Sequence, residues 1–232
     1  MSVILPAGFG AVLFHEAVGH PLEATQVAIG TSLFTGKLGE KIASDVITLV
    51  DDGTIEGERG TSPYDDEGNK TQSTILIKNG VLKSYLIDQF NGEVLMKAKP
   101  NGAGRRENYR YAPTSRMTNT FIKKGKSTVQ EIIKATKNGF YAKQLGGGQV
   151  DPFSGKFNFG VTEGYLIEDG EIKHLVKNAT LIGNGIEALK YIDMVADDFK
   201  IDAGTCGSKS GMIPVTVGQP TLRVTKMIVG GE

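Results

Sequence analysis

The sequence predicts an α+β fold with a largely antiparallel β-sheet and a few helices. Two pairs of β-prone segments surround the dipeptides Asn79-Gly80 and Asp169-Gly170, and both dipeptides favour the positive φ angles of a type I′ hairpin turn. Helical segments are few and isolated, so the sequence lacks the alternating βα units that predict a parallel sheet. Antiparallel strands joined by short turns are therefore the predicted framework.

The first predicted helix covers residues 9–19. This segment is almost entirely apolar and has Glu16 as its only charged residue, which predicts a helix buried on most of its sides. The segment Val46 to Val50 is predicted to be a strand that is closed by a turn at residues 51–53.

Later elements are predicted mainly from their ends. Ser127 and Gln130 have the spacing of a capping box, and Gly139 is expected in the left-handed conformation past the end of that helix. Asn184 is predicted to cap another helix, which continues to Val195. A final strand is predicted from the β-prone residues 221–229.

Length and composition indicate one globular domain over residues 1–232, because a single core can grow to about 250 residues. The 26 basic residues balance 26 acidic ones, so we expect no nucleic-acid partner and no anionic membrane surface. The chain has neither an apolar run of about 20 residues nor a signal-peptide pattern. One cysteine excludes an internal disulfide, and together these features predict a cytoplasmic protein.

The segment from His15 to His20 contains the strongest chemical signal. Two of the three histidines in the chain lie within six residues, and Glu16 follows the first of them. A lone buried histidine is usually satisfied by backbone carbonyls, but a pair with an adjacent carboxylate on an apolar helix favours a bound metal ion. Glu16 would then act as the general base that takes a proton from water.

The spacing of the two histidines requires a distorted backbone. They are five positions apart, which places them about 140° apart around a regular α-helix, too far to share an ion. A π-bulge would bring them to one face. Alternatively, the helix ends near Gly19, which Pro21 supports because it disfavours helical geometry at His20. Either way, His20 is predicted to lie at a distortion.

A catalytic zinc site typically uses three protein ligands and keeps a fourth position open. Cys206 lies in a glycine-flanked segment that predicts a loop, and its thiolate would be a strong zinc ligand. A small buried hydrophobic residue is an equally good interpretation of Cys206. Glu23 is the competing third ligand, so the residues leave this choice open.

Several segments along the whole chain resemble the TldD/PmbA family. The resemblance begins at His15 to His20 with Leu22-Glu23 and continues through segments 34–40 and 50–55. It is continued by later segments at residues 105–107, 116–120 together with Pro113, 146–152, 204–207 and 214–222. The segment with the two histidines and the intervening glutamate is the most specific of these, and it resembles the catalytic subunit of the family.

The resemblance implies a zinc-dependent peptidase that binds one Zn²⁺ through His15, His20 and Cys206, with Glu16 as the base. It also implies that the substrates are short or unfolded peptides. Family members usually pair with a TldE-like paralogous subunit, so such a subunit or a second copy is the expected partner. The resemblance also implies an N-terminal domain in family proteins, which we expect to lie outside these 232 residues.

Substrate contacts are predicted from three further groups of residues. Gly146, Gly147 and Gly148 suit a close approach of an extended peptide, although a flexible turn is the simpler interpretation. Arg116 and Asn119 are candidate substrate-binding residues as well. Arg116 belongs to a cluster of four arginines, at positions 105, 106, 110 and 116, that could bind a carboxylate or form a solvated surface. His174 is predicted to be a surface residue.

Two other functions are compatible with the same residues. In a non-catalytic peptide-binding protein, the metal would only join a helix to a loop, and it would have four protein ligands and no water. The third possibility is a metal hydrolase that cleaves a bond other than the peptide bond.

Overall fold

The structure is a computed structural model, and it describes residues 1–151 and 154–231. The strands are β1 (Ser2–Leu5), β2 (Leu49–Asp52), β3 (Ser73–Lys78), β4 (Val81–Leu82), β5 (Gly104–Arg105), β6 (Thr114–Ser115), β7 (Asn119–Ile122), β8 (Asn138–Val150), β9 (Lys156–Glu168), β10 (Glu171–Val176), β11 (Ala179–Asn184), β12 (Ile192–Ser208), β13 (Gly211–Val224) and β14 (Ile228–Gly230). Three α-helices (Ala24–Val27, Val129–Ala135 and Gly185–Lys190) and one π-helix (Phe90–Met96) lie between them. A composite helix precedes these four helices, and it consists of four consecutive turns: Phe9–Ala11, Val12–Phe14, His15–Gly19 and His20–Leu22.

One large mixed sheet dominates the described part of the chain. Its order is β14-β11-β9-β8-β1-β13-β7-β2-β3-β4, with β10 beside β9 and β12 beside β13. Only the pairings of β1 with β8 and of β7 with β13 are parallel among the described strands. The predicted α+β class with largely antiparallel sheet is therefore confirmed.

Strand β1 lies in the centre of the sheet and is covered on both faces. Val3 and Leu5 belong to the main apolar core, whereas Ile4 packs into a second cluster with Ile132 of helix Val129–Ala135. A strand buried on both faces requires a continuous apolar run, as in Val3-Ile4-Leu5. The composite helix packs into the main core through buried residues that include Leu13 and Leu22.

Both predicted hairpin turns are present. Asn79 and Gly80 have φ angles of 49° and 78°, and Asp169 and Gly170 have φ angles of 52° and 77°. These positive values are the ones that a type I′ turn requires at its two central positions. The turns join β3 to β4 and β9 to β10.

The predicted helix ends are only partly correct. The capping box exists, but it is formed by Thr128 and Glu131, one residue later than predicted. Gly139 does not cap this helix, because it belongs to β8 and pairs with Ser2. Asn184 caps the next helix as predicted. That helix ends at Lys190, because the chain beyond it pairs as β12 instead.

Two predicted strands are shifted. The strand predicted at Val46 to Val50 is Leu49–Asp52, so Asp51 lies in a strand rather than a turn. Its buried carboxylate accepts hydrogen bonds from Thr118 and Thr120 of the neighbouring chain segment. The final predicted strand is divided into the end of β13 and the short β14.

Candidate metal centre

The two motif histidines are brought to one face of the composite helix by a π-helical turn. The turn covers His15–Gly19, and the backbone N–H of His20 donates to the carbonyl of His15. This hydrogen bond between residues five positions apart widens the helix by one residue. The imidazole ring centroids of His15 and His20 consequently lie 5.2 Å apart in an edge-to-face arrangement.

Of the two predicted distortions, the π-bulge is the one that the structure contains. Pro21 does not force His20 out of helical geometry, since His20 has φ −57° and ψ −43°. Pro21 lies in the first turn of the following 3₁₀ segment, where a missing N–H disrupts no helical hydrogen bond. The backbone leaves helical geometry at Glu23, two residues after Pro21, where ψ is 131°.

Cys206 lies in a strand rather than in the loop that its glycine neighbours predicted. It belongs to the last part of β12, where it pairs with Ile213 of β13 close to the hairpin turn. Its side chain is buried beside Ile213 and Val215. The rigid hairpin thus brings Cys206 to the composite helix from a position 191 residues after His15.

The three side chains converge to separations close to those around a metal ion. The Sγ atom of Cys206 lies 3.3 Å from Nε2 of His15 and 3.2 Å from Nε2 of His20. All three potential ligand atoms lie within 4.8 Å of one another. Tetrahedral zinc with ordinary bond lengths would place nitrogen and sulfur ligands about 3.6 Å apart. Two imidazoles and a thiolate at these distances fit Zn²⁺ with small movements only.

Glu23 is not in this group of ligand atoms, and it contacts His20 from the other side. Its Oε1 atom lies 2.9 Å from Nδ1 of His20, which leaves Nε2 of that ring directed toward Cys206. Burial lowers the pKa of His20, but Glu23 and the hydrogen bond to Cys206 outweigh it and hold this pKa well above 6.5. A metal ion would take the place of the proton on Nε2.

His15 has the opposite electrostatic environment. Its side chain is buried, and burial together with the nearby His20 and Arg116 lowers its pKa well below 6.5. A neutral imidazole keeps the nitrogen lone pair that metal binding needs. Nδ1 of His15 is buried without a hydrogen-bond partner among the described residues, whereas Nε2 faces Cys206.

Glu16 reaches the exposed side of the centre. One of its carboxylate oxygens lies 3.7 Å from Nε2 of His20, and its side chain is 40% exposed. The carboxylate is therefore close to the metal-binding atoms but open to solvent. Such a position suits a group that exchanges protons with water and with a bound substrate.

Arg116 and Asn119, predicted as substrate-binding residues, are both buried. Arg116 donates hydrogen bonds to Cys206, Ser210 and Gly211. The Asn119 amide donates to Asp52 O and Thr61 Oγ1, and it accepts hydrogen bonds from Gly60 N–H and Thr216 Oγ1. Both side chains form hydrogen bonds between distant segments of the chain, and neither reaches the surface.

The four arginines of the predicted basic cluster do not form one surface. Arg105 is buried and donates to the carbonyls of Met117 and Pro214, whereas Arg106 is half-buried and Arg110 is exposed. The burial of Arg105 and Arg116 was not predictable from composition, because arginine is rarely buried without partners. His174 is exposed, as predicted.

The glycine run lies beside Glu16. Gly146, Gly147 and Gly148 are part of strand β8 and not of a turn, and together with Val12 and Glu16 they line a cavity of about 290 Å³. Strand β1 pairs with one edge of β8 at positions 139–141. Beyond these positions no described strand pairs with that edge, which lies beside the cavity. Pro152, which follows the glycine run, lies outside the described residues.

Comparison with known proteins identifies the family. Residues 1–231 match the family described as the PmbA/TldA metallopeptidase C-terminal domain. The chain belongs to this family. The Metalloprotease TldD homolog of Haemophilus influenzae is 49% identical over 100% of this chain and 48% of that protein. The Zinc metalloprotease TldD homolog of Saccharolobus solfataricus is 32% identical over 99% of this chain and 51% of that protein.

A solved structure has the same fold as this chain. TldE from Thermococcus kodakarensis superposes with a TM-score of 0.82 at 26% identity, over 99% of this chain and 50% of that one. The chain thus spans about half the length of the relatives that it matches. None of the helices in the described part of this metallopeptidase-family chain is long and apolar enough to cross a membrane.

Proposed function

We propose that this chain is the catalytic part of a zinc-dependent peptidase. His15, His20 and Cys206 bind one Zn²⁺, and Glu16 is the general base. The observation that carries this proposal is the convergence of two imidazole nitrogens and one cysteine sulfur within 4.8 Å. The family membership and the names of the relatives support the peptidase assignment.

When bound, Zn²⁺ polarises a carbonyl oxygen and lowers the pKa of a bound water to about 7. His15 and His20 would hold the ion through neutral imidazoles, and Cys206 would supply the single negative charge. Glu16 accepts the proton that the attacking water loses, and it then donates this proton to the amine that leaves when the peptide bond breaks. Its partial exposure supports both transfers, because the carboxylate reaches the substrate side of the centre.

The free edge of β8 supports a peptide as the substrate. An extended chain that pairs with Gly146 to Gly148 would pass the carboxylate of Glu16 in the same cavity. Main-chain hydrogen bonds to a strand edge bind many sequences, which suits short or unfolded peptides. We further propose that residues 1–232 form one domain, that the protein is cytoplasmic, and that it pairs with a TldE-like subunit or a second copy.

The glycine run offers a direct test of this substrate groove. A Cβ atom at Gly147 would meet no atom within 4 Å, so Gly147→Val should fold normally. Its side chain would occupy the groove, and we expect KM for an unstructured peptide to rise at least roughly tenfold. Steady-state kinetics of peptide cleavage measure this effect.

Gly230→Val is the matched control, because Gly230 also has open space around it and lies at the end of the short strand β14. The control should cleave peptides with the KM of the wild type. An equal KM for Gly147→Val and the wild type would exclude the groove as the substrate site.

Removal of the metal tests the peptidase itself. Dialysis against a chelator should abolish cleavage of an unstructured peptide, and about one equivalent of zinc should restore it, because three strong ligands converge on one point. Cleavage that survives full removal of the metal would contradict the proposal. A wild type that binds zinc tightly but cleaves no peptide would favour the non-catalytic peptide-binding function instead.

A further inference from the structure

We propose, on the basis of the zinc centre proposed above, that Glu23 and Arg116 are positioning residues. Glu23 orients His20, and Arg116 holds the end of the β12–β13 hairpin that carries Cys206. The two residues also face each other, so they connect metal ligands that lie 186 residues apart in the chain.

Glu23 is placed to orient the imidazole ring of His20. It is the first residue after the composite helix, and its backbone N–H donates to the carbonyl of His20. Its buried carboxylate lies 2.9 Å from Nδ1 of the same ring. A carboxylate at Nδ1 fixes the ring orientation and the tautomer and makes Nε2 a stronger metal ligand.

Arg116 holds the other side of the centre. Its guanidinium is fully buried and donates to the carbonyl of Cys206 at 2.7 Å, to Oγ of Ser210 at 2.8 Å and to the carbonyl of Gly211 at 3.0 Å. These acceptors lie on both sides of the hairpin turn. A planar guanidinium can reach them simultaneously, whereas a lysine ammonium cannot reproduce this geometry.

The two side chains are coupled by their charges. Nε of Arg116 lies 4.0 Å from Oε1 of Glu23, and this nitrogen has no hydrogen-bond partner among the described residues. Both groups are buried, and a buried charge without its counterpart is strongly destabilising. The Glu23 carboxylate thus interacts with His20 on one side and with Arg116 on the other.

The interaction of Glu23 with Arg116 completes a continuous series of contacts from His20 to Cys206. Metal ligands must be held within about 0.5 Å of their working geometry. His20 and Cys206 come from a helix and a hairpin, and nothing in the local sequence of either element fixes their separation. The buried pair supplies this constraint through contacts that do not involve the metal-binding atoms.

The experiment measures zinc affinity in purified Glu23→Gln and Arg116→Lys proteins by competition with a chromophoric chelator. Glu23→Gln preserves the shape of the side chain and removes its charge. Arg116→Lys keeps the positive charge and removes the planar guanidinium with its several N–H donors. We expect each change to weaken zinc binding about 10–100-fold. The loss of zinc-binding free energy in the double variant should be smaller than the sum of the losses in the two single variants, since the two residues interact.

The visible spectrum of the cobalt-substituted proteins provides a second readout. A thiolate ligand gives cobalt(II) an intense charge-transfer band, so displacement of Cys206 should weaken this band in Arg116→Lys. The matched controls are Arg223→Lys, an arginine bonded to Asp193 at the opposite end of the same two strands, and Glu107→Gln, which contacts Met212 on the same hairpin. Both controls should keep the zinc affinity and the cobalt spectrum of the wild type.

The outcomes separate this inference from the proposed function. A wild type without zinc affinity would contradict the metal centre itself. If the wild type binds zinc and Glu23→Gln binds it equally well, the positioning role of the pair is excluded. The same conclusion follows if Arg223→Lys and Arg116→Lys weaken zinc binding equally. If Arg116→Lys does not fold, Glu23→Gln alone decides, because in that variant Arg116 keeps its three hydrogen bonds to the hairpin.

Discussion

Replacing Glu16 by glutamine is expected to abolish most peptide cleavage and to leave zinc binding intact. The amide of glutamine has nearly the shape of the carboxylate but cannot accept a proton from water. General acid–base catalysis contributes about 10²–10⁴-fold to such reactions, so kcat should fall by at least this factor. Zinc content should stay at one equivalent, because Glu16 is not among the three converging ligands.

Steady-state kinetics with an unstructured peptide, together with metal analysis of the same sample, measure both effects. Glu40→Gln is a suitable control, since Glu40 is an exposed glutamate in a different segment, and it should cleave at the rate of the wild type. Unchanged turnover of Glu16→Gln would show that another group is the base. Loss of zinc from this variant would make Glu16 a ligand instead.

Replacing Cys206 by serine should remove the metal. Serine is slightly smaller than cysteine and is neutral at pH 7, so the buried position is still filled but the thiolate is lost. Changes next to metal ligands cost about 10–100-fold in affinity, and we expect the loss of a ligand itself to exceed this range. Peptide cleavage should be lost together with the zinc.

Competition with a chromophoric chelator measures this affinity. Thr205→Ser is the control, because Thr205 is exposed and adjacent side chains of a strand point to opposite faces. It should bind zinc like the wild type. A Cys206→Ser protein that retains full zinc affinity would remove the thiolate from the proposed centre and leave Cys206 as a small buried residue.

The features that were predictable from the sequence depend on local chemistry. The two hairpin turns could be predicted because their dipeptides tolerate positive φ angles. The helix start at Asn184 could be predicted because this side chain accepts hydrogen bonds from the first turn of the helix. The histidine spacing also predicted a distorted backbone, because a regular helix cannot bring such residues together. In each case the cause lies within a few residues of its effect.

The features that could not be predicted depend on distant packing. Gly139 was expected to end a helix, but it enters a strand because β1 provides a partner. Pro21 supported the alternative in which the helix ends near Gly19, but the 3₁₀ turn accommodates this proline and His20 stays in helical geometry. The burial of Arg116 depends on acceptors in a hairpin about 90 residues later. Neither periodicity nor composition contains information on these contacts.

The ligand set of the metal ion is the central claim, and X-ray absorption at the zinc edge of the purified protein tests it most directly. We predict one sulfur at about 2.3 Å, two imidazole nitrogens at about 2.0–2.1 Å and one further light atom. These values correspond to Cys206, His15 and His20 with one open position. A zinc ion surrounded only by nitrogen and oxygen, or a closed site with four protein ligands, would contradict the account.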